Sequence, residues 1–448
     1  MESVSPRIQH TAAESEADSE PQQTPKPRVY PRPIPLHRID PDAVKVLRRL
    51  SHGEHTAYLV GGGVRDLLLG RAPKDFDIAT SARPQEVKRL FRNCRIIGRR
   101  FRLAHILFSR GKVIEVATFR RDPRFDGQPR ARTSDSSTAA VGDNGVPIPL
   151  SPKPDRWPLQ DLLIHHDNVF GLPHEDAARR DFTINGLFYD IERQEVIDYV
   201  QGMDDLRSGV VRTIGEPAVR FREDPVRLLR AIKFSARLDM GIDPEVYDAM
   251  VAQRHGLNRC SRPRVLEELL RLLRGGAAHR SIYLMWDVGV LGVVLPELTA
   301  FLEDEAAGAS LLWGRLSAID ERVRAGEAPS DAVLLAALLW GTIAEVLECV
   351  PQPPTAFESF FTELSERLAV PRRIKDRIRL IAFSQDRLKA GQVERLARRD
   401  FFPDAATFYG LQCSAGGQQA PDWADRPEQR QGPSRVRSPR RTRRRSQR

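Results

Sequence analysis

The stretch YLVGGGVRDLLLGRAPKDFDIAT, residues 58–80, decides how the N-terminal part of the chain is built. A short apolar run, 58–60, precedes Gly61, Gly62 and Gly63. A helix start carrying Arg65 and Asp66 follows over 64–69, then a Gly/Pro break at 70–73. A second short strand carries Asp75 and Asp77. Strand, glycine turn, helix, strand is an α/β unit. Glycines allow backbone approaches that a Cβ would block, and the N–H groups of such a turn can face phosphate oxygens.

Side chains at i and i+2 of a strand share a face. Asp75 and Asp77 are therefore expected side by side, with Phe76 and Ile78 turned to the core. Two carboxylates held together repel unless a cation lies between them. Hard oxygen donors at this spacing suit magnesium, which takes few carboxylates and completes its shell with substrate phosphates. The plainer reading is a solvated strand end, and the preceding Gly-Gly-x-Val-Arg-Asp turn favours the metal. No GxxxxGK(S/T) phosphate loop occurs. Asp66 stands where a dinucleotide-binding fingerprint needs its third glycine.

Working outward, residues 37–50 (HRIDPDAVKVLRRL) predict a helix capped by Asp40 or Asp42, with Val44, Val46, Leu47 and Leu50 on its apolar face. Residues 1–36 are polar and proline-rich and are expected to be disordered. Residues 83–91 predict a helix. Strands are expected at 94–98, 103–108 and 113–119, with a turn at Ser109-Arg110-Gly111. On the last strand Val113, Glu115 and Ala117 share a face. Glu115 is either a surface acid or a third carboxylate brought to Asp75 and Asp77 across the sheet.

Residues 121–160 hold seven prolines and many Ser, Asp and Arg residues, and read as a long surface insertion. Arg120, Arg121, Arg124, Arg130 and Arg132 there either touch nucleic acid or are simply solvated. Residues 174–189 (HEDAARRDFTINGLFY) carry a helical pattern, 191–200 a hairpin or strand, and 202–209 a turn. From 217 the periodicity is helical to the end of the folded chain. One helix over 221–240 would place Asp224, Arg227 and Arg230 on nearly one face, as surface ion pairs or as a base-reading edge. Trp286, Trp313 and Trp340 are expected in the core of the later helices.

The chain has 448 residues, 41% apolar and 29% charged, with a formal net charge of +10. No apolar run approaches the roughly 18 residues of a membrane span, and there is no apolar signal segment. Cys94, Cys260, Cys349 and Cys413 lack CxxC spacing, which argues against structural zinc and for a reducing, cytoplasmic setting. Residues from about 401 read as a polar tail. Its last stretch, 431–448, holds Arg435, Arg437, Arg440, Arg441, Arg443, Arg444, Arg445 and Arg448 and no acid. Such a run suits contact with an RNA phosphate backbone, or serves solubility or localisation.

Taken together, these motifs resemble the bacterial family of poly(A) polymerases and tRNA CCA-adding enzymes, over roughly residues 38–300. LVGGGVRDLLLG with KDFDIAT matches the family's first motif at Gly61, Gly62, Arg65, Asp66, Asp75 and Asp77. IEVATFR puts Glu115 at its third carboxylate. RRDFTIN matches at Arg179, Arg180, Asp181 and Asn185, and EDPVRLLR at Glu223, Asp224 and Arg227.

The resemblance implies an α+β fold: a polymerase-β-like nucleotidyltransferase head with a short mixed sheet, then an all-α neck, body and tail. The expected divisions are a disordered extension at 1–36, a head at 37–200 with the 121–160 insertion, a neck at 201–275, a body at 276–400 and an arginine-rich tail at 401–448. It further implies two Mg²⁺ held by Asp75, Asp77 and Glu115, and ATP as substrate. The nucleotide would be bound by Gly61, Gly62, Arg65, Asp66, Arg180, Asp181, Asn185, Asp224 and Arg227.

The implied reaction adds AMP to RNA 3′ ends without a template, with RNA-decay machinery as a possible partner. Residues 96–108 (IIGRRFRLAHILF) look like the poly(A) polymerase branch, as do Asn168-Val169-Phe170-Gly171 and the arginine-rich end. CCA addition with CTP and ATP is the alternative, and a non-catalytic RNA-binding protein on the same scaffold the remote one. His174 in place of an acid and the longer insertion depart from the family pattern.

Overall fold

A computed structural model describes residues 26–98, 102–121, 169–304, 309–348 and 352–425. The N-terminal part is one eight-stranded sheet in the order β1-β8-β7-β2-β3-β6-β5-β4. Its strands are β1 (Arg28–Pro31), β2 (Ala57–Val60), β3 (Asp77–Thr80), β4 (Cys94–Ile97), β5 (Leu103–Leu107), β6 (Val113–Thr118), β7 (Leu187–Asp190) and β8 (Glu195–Asp198). Only β3 and β6 pair in parallel; the other neighbours are antiparallel, so the sheet is mixed.

The sheet has two unlike faces because strand side chains alternate. Leu59, Ile78, Ala104, Ile106, Ile114, Val116 and Leu187 point into the main core. Helix α1 (Pro41–His52) contributes to that core, and α2 (Gly62–Leu68) and α3 (Pro84–Leu90) pack there too. Asp40 caps α1 by accepting from Asp42 N at 2.8 Å, and Val44, Val46, Leu47 and Leu50 are buried as predicted. On the other face, Val60, Ala79, Phe119, Phe188 and Ile197 form a small apolar cluster with Ala177 of α4 (Pro173–Ala178). Among the described residues that cluster does not extend to the β6-β5-β4 end of this face, where Val113 and Ile97 are exposed.

Several expectations are corrected. Residues 28–31, expected to be disordered, form the edge strand β1, paired with β8, which hides the edge of β8 that would otherwise stand open. The helical pattern over 174–189 breaks after Ala178, passes a 3-10 turn at Thr183–Asn185 and becomes β7. The expected turn at 202–209 is helix α5 (Gly202–Ser208). The single helix over 221–240 is two, α6 (Pro217–Glu223) and α7 (Arg227–Leu238), with Asp224 extended between them; Pro225, which lacks an N–H, sits in the break. Residues 1–25, most of the insertion (122–168) and the tail arginines (435–448) lie outside the described residues.

Beyond α7 the described chain is helical, from α8 (Pro244–Gln253) to α20 (Asp422–Asp425), apart from the two-residue strand β10 (Gly241–Ile242), which pairs with β9 (Val210–Val211). Helix α14 (Asp331–Glu348) is buried on nearly every side over Ala332–Leu339, a core helix around which its neighbours pack. The supposed tail contains α19 (Phe402–Ala415), which buries Phe402, Ala405, Phe408 and Leu411. Trp286 is 37% exposed instead of buried and packs edge-on against Tyr283 and tilted against Trp313. No helix among the described residues is long and apolar enough to cross a membrane.

Gly202 opens α5 directly beneath the 3-10 turn, and a Cβ there would lie 2.2 Å from Thr183 O. Gly202→Ala should therefore cost about 1–3 kcal/mol through overpacking, seen as a lower midpoint in urea unfolding.

Candidate functional site

The glycine turn between β2 and α2 is built by close contacts. Gly61 has φ +70°, a conformation that favours glycine, and a Cβ on it would lie 3.2 Å from Arg180 Nη1. A Cβ on Gly63 would lie 3.1 Å from Asp75 O. Gly63 thus lets the segment that carries Asp75 lie close against α2, a role the sequence pattern did not single out.

Strand β3 begins at Asp77, and Asp75 sits in the loop just before it, so the expectation of one strand holding both is corrected by two residues. Alternation nonetheless holds: Asp75 and Asp77 are exposed, Phe76 half-buried and Ile78 buried. Parallel pairing of β3 with β6 sets Glu115 directly opposite Asp77. His105 of β5 stands opposite Glu115 in turn, its Nε2 3.4 Å from Glu115 Oε1.

Surrounding protein mass strips solvent from Asp77, and the neighbouring charge of Glu115 adds to this; Arg180 opposes and Asp75 reinforces. The result pushes the Asp77 carboxyl up to about 6. An exposed carboxylate that is still poorly solvated, with two further carboxylates nearby, favours a cation as its neighbour.

Arg180 projects into this site from the end of α4. Asp176, buried, accepts from Arg180 Nη2 at 2.9 Å, from Arg179 Nε at 3.3 Å and from Arg120 N at 3.2 Å. Arg180 also donates to Asn185 O at 3.3 Å and lies over the Phe188 ring, 5.1 Å from its centroid. Its guanidinium is thereby aimed at the Gly61 turn.

Arg65, Asp66 and Asn185 are buried. Arg65 donates to Asp66 Oδ1 at 2.7 Å and to Asn185 Oδ1 at 2.5 Å, and stacks over Phe234 of α7. Asp66 accepts from Arg237 at 3.3 Å. Asn185 donates to Asp181 Oδ1 at 3.2 Å, and Arg230 Nε donates to Asp181 Oδ2 at 2.7 Å. This chain of charges ties the glycine turn to α7, and its members face protein.

The EDPVR motif is closed on itself. Glu223 Oε2 accepts from Arg220 at 2.9 Å and Arg227 at 3.0 Å, and Arg227 is buried. Both oxygens of Asp224 are held by Arg264 of α9 (Arg262–Leu273), at 2.9 and 2.6 Å. The common face expected for Asp224, Arg227 and Arg230 does not exist, because the helix breaks at Asp224 and each residue takes a different partner.

Comparison with known proteins matches these features. Residues 57–212 match a family model described as "Poly A polymerase head domain", and residues 239–302 one described as "Probable RNA and SrmB- binding site of polymerase A". Poly(A) polymerase I of Salmonella typhimurium is 38% identical over 368 residues, covering 80% of this chain and 74% of that protein. The CCA-adding enzyme of Geobacillus stearothermophilus is 31% identical over 281 residues, covering 63% of this chain and 61% of its own length.

This chain belongs to the poly(A) polymerase/CCA-adding nucleotidyltransferase family.

The crystal structure of the Bacillus stearothermophilus CCA-adding enzyme in complex with CTP shares the fold, with a TM-score of 0.62 at 24% identity over 88% of this chain and 82% of that one. The family places the chain among nucleotidyltransferases. As a donor set, Asp75, Asp77 and Glu115 present only carboxylate oxygens on an open surface, the chemistry that magnesium prefers. They do not close around a point: among the described residues no group of three acidic, His or Cys side chains is gathered tightly enough to hold an ion without further ligands. Such a site fits a metal whose shell is completed by substrate.

Of the residues singled out from sequence, Asp75, Asp77, Glu115, Gly61, Gly62 and Arg180 come together here; Arg65, Asp66, Asp181 and Asn185 stand behind them, and Asp224 and Arg227 are engaged elsewhere. Asp176, Arg264 and His105 were not singled out. Asp176 precedes the RRDFTIN motif by only three residues, and an acid three and four residues before two arginines was an available helical-pairing signal.

Burial would raise the Asp181 carboxyl, but the charge of Arg230, with hydrogen bonds from Arg230, Asn185 and Phe182 N, overcomes it and holds the group at about 2 against an ordinary 3.8. The resulting stabilisation, about 2 kcal/mol, is complete above the ordinary value and is lost as pH falls through about 2. Asp181→Asn should therefore be less stable near neutral pH, with the gap in urea midpoints narrowing below about pH 4. A constant gap across that range would show that the pairing with Arg230 is not its source.

Proposed function

We propose that the protein adds AMP from ATP to the 3′-hydroxyl of RNA without a template, releasing pyrophosphate. The observation that carries this is the pairing of Asp77 with Glu115 across parallel strands, with Asp75 beside them and Arg180 aimed over the Gly61 turn. The likeness to poly(A) polymerase I is both closer and longer along the chain than that to the CCA-adding enzyme. It favours AMP over the alternative of CTP followed by ATP on tRNA.

In this reading Asp75, Asp77 and Glu115 hold two Mg²⁺, which supply charge compensation on the triphosphate and a more acidic 3′-hydroxyl. The backbone of Gly61 and Gly62 lies against the phosphates, and Arg180 adds positive charge there, kept in place by Asp176. In the same reading Arg65, Asp66, Asp181 and Asn185 act from behind the pocket, holding the glycine turn and Arg180 in place. Asp224 and Arg227 read the base edge once their bonds to Arg264 and Glu223 open, because both are fully engaged as they stand. In-line transfer then depends on orientation and charge more than on covalent chemistry. Arg435, Arg437, Arg440, Arg441, Arg443, Arg444, Arg445 and Arg448 contact the RNA backbone. A cytoplasmic setting and a partner in RNA decay follow from the same reading.

Asp77→Ala should bring AMP transfer to background. It should leave the unfolding temperature unchanged or higher, since it relieves repulsion between exposed like charges. Purified protein given Mg²⁺ and one labelled nucleotide at a time, on a generic RNA and on a tRNA lacking CCA, tests the whole reading. Long A-only products on the generic RNA are expected. Three-residue additions with CTP and then ATP would assign CCA addition, and no product at all a non-catalytic RNA-binding protein. Removing residues 431–448 should flatten the salt dependence of RNA binding, because each released phosphate contact lowers the slope.

A further inference from the structure

The open face of the sheet carries four polar side chains in one register row. Asp77 stands opposite Glu115, Glu115 opposite His105, and His105 opposite Arg95 of β4. Strands lie about 4.8 Å apart, so Arg95 starts about 10 Å from Glu115, within one extended side chain and a nucleotide or two of the carboxylates. The opposite-facing residues of the same strands, Cys94, Ala104, Ile106, Ile114 and Val116, lie in the core, which fixes the row to the outer surface.

Arg95 is exposed, and its guanidinium makes no ion pair or hydrogen bond among the described residues. Most arginines around the site, Arg65, Arg180, Arg220, Arg227 and Arg230, are by contrast held by carboxylates. Ile97 and Val113, exposed on either side of the row, give it apolar flanks.

Chemistry sets the direction of approach. The glycine turn and Arg180 lie on the β2 side of Asp77. If they take the triphosphate, the leaving pyrophosphate departs on that side. An in-line displacement brings the attacking oxygen from the opposite side, which is the side of β6, β5 and β4.

We infer that the RNA 3′ end lies across the open face of β6, β5 and β4, with Arg95 binding a phosphate of its last nucleotides. The inference rests on the nucleotidyl-transfer reading above and adds the acceptor's path and a residue that recognises it. One cation on a phosphate contributes affinity without sequence preference, as an enzyme that extends many 3′ ends requires.

The test uses the full chain with Mg²⁺, saturating ATP and a single-stranded oligoribonucleotide acceptor. Arg95→Ala should raise the acceptor KM about tenfold, as for a lost charge-assisted contact, and shift the ATP KM less than twofold. The log–log salt slope of the acceptor KM should fall by about 0.7, the value for one phosphate on a single strand. Arg95→Lys should recover most of the loss. Arg92→Ala removes the same charge nearby but outside the row, and should change the acceptor KM little.

An acceptor with 4-thiouridine next to its 3′ end should crosslink to the β4–β5 segment. An unchanged acceptor KM in Arg95→Ala, equal losses in Arg92→Ala, or crosslinks confined to the helical part of the chain would each overturn the inference. Wild-type protein that transfers no nucleotide would refute the underlying reading instead, and the crosslink would then decide the path by itself.

Discussion

Two carboxylates at one strand spacing organise this molecule. Asp77 and Glu115 face each other because β3 and β6 run parallel, the one parallel pairing in the eight-stranded sheet. Burial, and then the charge of Glu115, raise the cost of ionising Asp77. Among the described residues Arg180 relieves that cost in part. A surface that keeps unrelieved negative charge at an accessible point favours a cation and the polyphosphate that would accompany it. The other devices of the site serve this point: glycines that clear room, a buried aspartate that aims Arg180, and an outer sheet face on which Val113 and Ile97 stay exposed.

Behind the site lies a chain of buried and half-buried polar groups, Arg65–Asp66–Arg237 on one branch and Asn185–Asp181–Arg230 on the other. Desolvating such pairs is expensive, and a buried ion pair is weak evidence for extra stability. What it provides is geometry. Each member accepts one arrangement, so the glycine turn, the 3-10 turn and α7 can sit together in one way. The family motifs thus divide by role. KDFDIAT and IEVATFR present groups to solvent, whereas VRD and most of RRDFTIN fasten the elements that present them.

Much of the fold was legible. The helix at 41–52, the glycine turn, the strands β2 to β6 and the helical second half follow from local periodicity and punctuation, which are properties of neighbouring residues. Two of the misreadings share one cause. Residues 28–31 look like a proline-rich extension but gain backbone partners from β8, far along the chain. Residues 402–415 precede a glycine- and arginine-rich end and read with it as tail, yet Phe402 and Phe408 find a core built by other helices. The run at 221–240 breaks for a local reason instead: Asp224 precedes Pro225, whose ring disfavours helical backbone there, and Arg264 holds the extended Asp224.

The sequence by itself determined the chemical inventory: three acids on strands, a glycine turn able to approach phosphate, paired motifs of one nucleotidyltransferase family, and a basic terminus. These depend only on residue identity and short spacing. Tertiary structure decided which of them meet. Strand order and register alone put Glu115 beside Asp77 and aligned His105 and Arg95 beyond it, because no local rule says which strands become neighbours. Burial alone turned Arg65, Asp66 and Arg227 inward, since a side chain's partners are chosen by the space that distant segments leave for it.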